Sequence, residues 1–511
     1  MMINEFTGII DIGSNTVRLA VYQLTENGAY RVIDQGRWSA RLSQRMTTDG
    51  LLPDDAVNEL IEVLRHYQRI CQMHGAVHIR AVATAALRQA VNQIEIMKRI
   101  YSETGLTIEI LSGEDEARIG SHAMLCTMPI SDGFVVDIGG GSTEVSLLID
   151  RKVIAAISIP IGCVNTASRF GLNGTAVSSA ILSEIKLTIQ HVISNEKWMI
   201  THPKLPLVGL GGTVRALAKL EQLKTGYPYS QIHGYELSAD ALSDTLIELA
   251  AMPANKRKKH PGLSKDRSDV IVPGLAILLA ITELVDASHI TVCGVGIRDG
   301  LFLETCLPQY QPQSTKAVLE ESIRNLIALY PTAPESHLAQ VQKLSLSLYD
   351  RLSSLHRLPS YSRRLLDTAS RLFRLGAVID FNDSDKHTFY MLLNTHWNGL
   401  SHREIILTAA VASYSGNGQL KRNLAPYRAL LSEGDSELAA KLGVLLQFAA
   451  SLDRSEAQAI HAIELIIIGS KLHLIAHASH PLPVEQMEAE NMSKEFKKAW
   501  GLTPKLEVTT H

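Results

Sequence analysis

Two glycine turns in this chain share one plan. Asp11-Ile12-Gly13-Ser14-Asn15-Thr16 and Asp137-Ile138-Gly139-Gly140-Gly141-Ser142-Thr143 each end an apolar run with an aspartate, then continue with glycine and small polar residues. In a strand–turn–strand element of this kind, successive backbone N–H groups can point into one concavity, which suits phosphate oxygens. Asp11 and Asp137, at the strand ends, are placed to hold Mg²⁺ or its waters. One such turn alone is weak evidence, because a hairpin needs glycine for its own reasons. A third glycine element, Leu207-Val208-Gly209-Leu210-Gly211-Gly212-Thr213, strengthens the phosphate reading.

The elements around these turns alternate apolar runs with amphipathic stretches over the first three hundred residues, the pattern of an α/β architecture. Residues 8–21 read as strand, turn and strand, and residues 133–149 repeat that plan. The spacing of about 126 residues predicts a duplicated domain and excludes a solenoid. Residues 54–74 have helical periodicity, and residues 77–83 and 108–111 read as short strands. A helix is predicted to start near Ser112 or Gly113. After a linker at residues 309–314, residues 319–459 are helical in pattern, and a hairpin, a helix and a last strand close the chain. The expected domains are 1–125 and 126–308 (α/β), 309–460 (helical) and 461–511 (small α+β).

Composition excludes several classes. The 511 residues are 46% hydrophobic and 20% charged with a net charge of −3, so whole-chain electrostatics favour neither nucleic acid nor a membrane surface. Five scattered cysteines without a CxxC pair predict reduced thiols and a cytoplasmic location. No signal peptide is evident and no apolar run is long enough to span a bilayer. The basic run Lys256-Arg257-Lys258-Lys259-His260 reads as a solvated loop.

Seven motifs, in order, resemble the exopolyphosphatase/guanosine pentaphosphate phosphohydrolase (Ppx/GppA) family. They are Asp11 through Leu19, Thr84-Ala85-Ala86-Leu87-Arg88-Gln89-Ala90, Ser112-Gly113-Glu114-Asp115-Glu116-Ala117-Arg118, Asp137 through Glu144, Gly209 through Thr213, Asp266 through Gly274, and Gly294 through Gly300. The resemblance implies a duplicated actin/hexokinase-like (ribonuclease H-like) fold, followed by a helical HD-like domain and a small α+β domain. It implies that Glu116 is the catalytic base for the attacking water, a role that needs a carboxylate behind the terminal phosphorus. Asp137 and Glu144, with Asp11, are the expected Mg²⁺-holding acids, and K⁺ is an expected stimulating ion. Ser14, Asn15, Gly140, Gly141, Ser142, Gly211, Gly212 and Thr213 are the expected phosphate-cradling positions. Arg88 and Arg267 match arginines that contact phosphates, and each is equally placed to form a salt bridge.

The chain departs from the family in its helical domain. Where intact members carry His-Asp, it has Phe373 and Arg374, so a dinuclear metal centre is not expected, and His387 is left as a structural or chain-contacting residue. The expected substrate is inorganic polyphosphate, with pppGpp as the alternative, and a homodimer is the expected assembly. Phosphotransfer to a nucleotide, and a non-catalytic sensor of polyphosphate or alarmone, are the competing classes.

Overall fold

The computed structural model describes residues 5–172, 174–353, 355 and 357–510, which group into two units, Met1–Leu319 and Glu320–His511. In the first unit, β1 (Glu5–Ile12), β2 (Val17–Leu24), β3 (Tyr30–Trp38), β4 (His78–Ala83) and β5 (Ile108–Ile110) form a sheet in the order β3-β2-β1-β4-β5. Strands β1 to β3 run antiparallel, and β1, β4 and β5 run parallel. A second sheet repeats this layout. Its strands β6 (Gly133–Ile138), β7 (Thr143–Ile149), β8 (Lys152–Ile159), β9 (Leu207–Leu210), β10 (Glu236–Leu237) and β11 (Ile290–Val292) lie in the order β10-β11-β9-β6-β7-β8. Read from β8 to β11, the orientations match those from β3 to β5. The duplication therefore extends from the turns to whole sheets.

Each sheet buries one face under its own helices. Helix Asp54–Met73 sets Val57, Leu60, Ile61 and Leu64 on one stripe against Ile10, Val17 and Leu19. The apolar helix Ile271–Leu284, buried nearly all round, fills the core beneath the second sheet. Helices Gly113–Thr127 and Ile297–Cys306 pack against the opposite face of the first sheet, where Ile119, Cys126, Leu301 and Phe302 meet Ile9, Ala20 and Tyr22. The rings of Tyr22 and Phe302 stack at 4.1 Å, and the Tyr22 hydroxyl donates to Asp299 Oδ1 at 2.9 Å. The two helices approach so closely that a side chain on Gly300 would collide with the Ile119 carbonyl.

Helix Gly113–Thr127 has both ends tied down. Ser112 caps its start by accepting from the Asp115 N–H at 3.0 Å. At its other end the buried Arg151 guanidinium donates to the carbonyls of Leu125, Met128 (3.3 Å) and Ile130 (2.7 Å), and to Pro312 at 3.1 Å. Two of these, Leu125 and Met128, lie at the helix end, where carbonyls are left without helical partners. Arg151→Ala is expected to lower stability by about 2–3 kcal/mol, read as a fall in Tm, because it orphans several buried acceptors at once.

The second unit contains helices Glu335–Arg351, Ser362–Leu372, Ser384–Asn394, His402–Ala412 and Asp435–Ser451, and a buried His337–Asp453 hydrogen bond of 2.8 Å. Phe373 packs 5.9 Å from the His337 ring, Arg374 pairs with Glu456 at 3.0 Å, and His387 is half-buried on its helix. β12 (Ile460–Ile468), β13 (Lys471–Ala478) and β14 (Thr503–Thr510) complete the unit with helix Pro483–Trp500, whose Phe496 meets Phe448 at 4.9 Å. Among the described residues no helix is long and apolar enough to cross a membrane.

The basic run differs from the solvated loop expected of it. Residues 254–257 form a helical turn, and Arg257 is fully buried, donating to the Leu249 carbonyl at 3.3 Å. A charge count cannot show that one member of a polar run points inward.

Candidate active site

Asp11 closes β1 and faces Arg18 on β2, while Asp137 on β6 faces Glu144 on β7 at the same step of the repeated hairpin. One copy thus sets a cation beside its aspartate where the other sets a second acid. Both turns close alike, with Gly13 N donating to Thr16 O at 3.1 Å and Gly139 N to Ser142 O at 2.9 Å. The turns abut. A Cβ added to Gly140 would lie 3.0 Å from Ser14 Cβ, and one on Gly141 would lie 2.8 Å from Ser14 Oγ. Glycine is therefore required there for the approach of one lobe to the other. The second turn is braced by residues absent from the sequence reading: Val164 N donates to Gly140 O at 2.9 Å, and Asn165 Nδ2 to Gly141 O at 2.8 Å.

Gly211 and Gly212 open helix Gly211–Thr225, whose first N–H groups have no partner within the helix. Gly211 has a positive φ of 84°, and a Cβ on it would come within 2.5 Å of Asp137 Oδ1. Gly212 lies against the Arg267 guanidinium, which a Cβ would overlap. The Thr213 side chain is buried and lies against Gly274. Ser14, Asn15 and Ser142 are all buried at the junction of the turns.

Glu116 lies in the first turn of helix Gly113–Thr127 and is ion-paired with Arg88, which also donates to Leu111 O at 2.7 Å. The salt-bridge alternative for Arg88 is thus present, and its partner is the expected base. Burial raises the Glu116 pKa, the Glu144 charge raises it further, and Arg88 opposes both. Glu144 is buried and accepts a 2.8 Å hydrogen bond from Ser158 on β8. Its pKa is raised by burial and by Asp137, against the hydrogen bonds from Ser142 and Ser158. Burial likewise raises Asp11 and Asp137, opposed chiefly by Arg18 and Arg215 respectively.

Asp11, Asp137, Glu144 and Glu116 therefore lie near enough to disfavour one another's charge. Hard oxygen donors of this kind fit Mg²⁺. Among the described residues no three acidic, His or Cys side chains converge as a preformed cage.

A stability consequence follows from the raised values. Folded Glu144 keeps a proton that the unfolded chain, titrating near 4.5, has released, so the folded state loses stability as pH rises from there toward neutrality. Glu144→Gln is expected to be more stable than the parent by about 1–3 kcal/mol at pH 8. The gain should vanish below about pH 4.5, where both states are protonated. Melting curves across pH without divalent metal check the sign.

Arg37 pairs with Asp266, and Arg41 with Asp269 at 2.7 Å, joining the two lobes on either side of Arg267. The neighbouring acids are thereby taken, and the Arg267 guanidinium has no ion pair among the described residues. Arg18, Arg215 and Arg298 complete a cationic group beside the aspartates. Arg215, Arg298 and Ser158 had no place in the sequence reading. Arg298 sits inside a quoted motif and Arg215 two residues beyond one, so proximity to the glycines was the available signal for both.

Residues 21–308 match the Ppx/GppA phosphatase family, and residues 318–495 match domain III of the Ppx/GppA phosphatases. A guanosine-5'-triphosphate,3'-diphosphate pyrophosphatase of Vibrio vulnificus is 26% identical over 417 residues, 79% of each chain. Exopolyphosphatase 1 of Mycobacterium bovis is 26% identical over 300 residues, 58% of this chain and 87% of that one. The crystal structure of the Aquifex aeolicus Ppx/GppA family member, 29% identical, covers 60% of this chain and all of its own with a TM-score of 0.53. With duplicated sheets, paired glycine turns and an acid-lined site in one chain, this protein belongs to the Ppx/GppA phosphatase family, whose members are phosphoanhydride hydrolases.

Proposed function

We propose that the protein is a Mg²⁺-dependent exopolyphosphatase that releases terminal orthophosphate from inorganic polyphosphate, with Glu116 as general base. The observation that carries this reading is the position of Glu116: partly buried at a helix start, paired with Arg88 and close enough to Glu144 to feel its charge. A carboxylate with a raised pKa is a competent base near neutral pH. Glu116 takes a proton from water as the water oxygen bonds to the terminal phosphorus. The bond from that phosphorus to the bridging oxygen breaks, and the bridging oxygen leaves with the shortened chain. Arg88 fixes the Glu116 carboxylate, and Arg267 with the N–H groups of both turns and Gly211–Thr213 orients the phosphate. One or two of Asp11, Asp137 and Glu144 would hold the metal, which when bound neutralises phosphate charge and polarises the phosphorus.

Hydrolysis of pppGpp is the second reading. It is favoured by the Vibrio vulnificus relative, whose alignment covers more of this chain than that of exopolyphosphatase 1. Both substrates present a terminal phosphoanhydride. We favour polyphosphate because the donors gathered at the site, the helix-opening N–H groups at Gly211 and Gly212 with Arg267 beside them, suit phosphoryl groups. A cytoplasmic homodimer stimulated by K⁺ belongs to the same reading. Phosphate release from long-chain polyphosphate and from pppGpp, assayed side by side with Mg²⁺, decides between them. A higher kcat/KM for pppGpp would overturn the polyphosphate assignment.

A further inference from the structure

A trans peptide points its C=O and N–H in opposite directions, so holding the carbonyls of a glycine turn aims its N–H groups. In the first turn Ser14 O accepts from Ser43 N at 3.2 Å, and Asn15 O accepts from Arg41 N at 3.0 Å. These two bonds aim the N–H groups of Asn15 and Thr16 away from residues 41–43. Asn15 N accordingly lies beside Gly140 of the second turn. The second turn is braced in the same way, through Gly140 O and Gly141 O, by Val164 and Asn165. The short helix Leu42–Arg45 packs against helix Cys163–Arg169, so the two braces touch.

The first brace is anchored in its own lobe. Leu42 is buried in the core of the first sheet, and Arg45 pairs with Asp55 at 2.7 Å and Glu59 at 2.6 Å on helix Asp54–Met73. Arg41 reaches across to the other lobe instead. Its Nη1 donates to Asp269 Oδ2 at 2.7 Å and its Nη2 to Asp269 Oδ1 at 3.3 Å. The Arg41 backbone is left-handed, with φ 49° and ψ 38°, a conformation that glycine adopts freely and arginine only with strain. The paired side chains are 35% and 27% exposed, so the pair adds little to stability. What it supplies is geometry, because Asp269 stands two residues from Arg267.

We propose that Arg41 is a positioning residue for hydrolysis. Its N–H sets the first turn and its guanidinium sets the segment that carries Arg267, so donors from the two lobes meet one phosphoryl group in fixed relation. This rests on the hydrolase reading above and adds to it a residue that acts without touching substrate. A displacement of about 1 Å between such groups costs on the order of 10²-fold in rate.

The test uses the full chain. Arg41→Gly keeps the N–H, suits the left-handed backbone and removes the guanidinium. It should melt near the parental temperature, while kcat on polyphosphate falls about 10–100-fold and KM changes less than about threefold. Asp269→Asn should lower kcat alike, and the double variant no further than either single one. Arg41→Lys keeps one charged contact and should lose less than Arg41→Gly. A readout without turnover is amide hydrogen exchange at residues 13–16, which should quicken severalfold in Asp269→Asn although that residue lies in the other lobe. Parental kcat in Arg41→Gly, losses that add in the double variant, or unchanged exchange in Asp269→Asn overturns the assignment. If Arg41→Gly melts well below the parent, Asp269→Asn and Arg41→Lys decide. A parental protein that releases no phosphate, with exchange still quickened in Asp269→Asn, sinks the hydrolase reading and keeps the tie between turn and lobe.

Discussion

Glu116→Gln is expected to lower kcat by about 10²–10⁴-fold while leaving the affinity for phosphate chains within a few-fold of the parent. Glutamine keeps the size of the side chain and can still accept from Arg88, so the helix start and its Ser112 cap should survive. What is lost is the ability to take a proton from water. The pH dependence should change with it. Because burial and Glu144 raise the Glu116 pKa, parental activity should fall as pH drops through the neutral range, when the base becomes protonated. The residual rate of Glu116→Gln should not show that limb. Retention of a substantial rate with the parental pH profile would remove Glu116 from the mechanism.

The second large effect is expected at a glycine. A methyl group on Gly212 would occupy the space of the Arg267 guanidinium. The obstructed atoms are the far end of a flexible side chain, so the arginine moves and the backbone stays. Alanine is also a better helix residue than glycine, and Gly212 lies within helix Gly211–Thr225 without a positive φ. Gly212→Ala should therefore melt at or slightly above the parental temperature while losing about 10²-fold in kcat/KM, the scale of a lost charged hydrogen-bonding pair. Stability and activity would then move in opposite directions. Parental kcat/KM in this variant would show that the position of Arg267 does not matter to the substrate.

Much of this organisation is legible in the residues because its demands are local. An aspartate at a strand end followed by glycine and small hydroxyl residues, occurring twice, announces both hairpins and their duplication. The helical periodicity of Asp54–Met73 and the cap at Ser112 are legible for the same reason. Edge strands are not. β3 mixes half-buried and exposed positions with no sustained apolar run, so little in Tyr30–Trp38 marks a strand until its neighbour is known, and the apolar run at residues 153–157 of β8 is largely exposed. Ser158 was hidden with β8, although it holds Glu144.

Contacts between lobes were equally out of reach. The turn glycines read as phosphate cradles, yet Gly140 and Gly141 also permit one turn to rest on Ser14 of the other. That requirement exists only once the two copies face each other. Arg88 illustrates the limit from the other side: its motif marked it as functional, but only the fold shows that it reaches Glu116.

In the proposed reaction water, directed by Glu116, receives the terminal phosphoryl group. The most direct measurement is turnover of long-chain polyphosphate in ¹⁸O-labelled water with Mg²⁺ and a nucleoside diphosphate present. The prediction is one ¹⁸O in each released orthophosphate, no nucleoside triphosphate formed, and loss of both label and release in Glu116→Gln. Accumulation of nucleoside triphosphate, with little labelled orthophosphate, would make the enzyme a phosphotransferase and contradict this account.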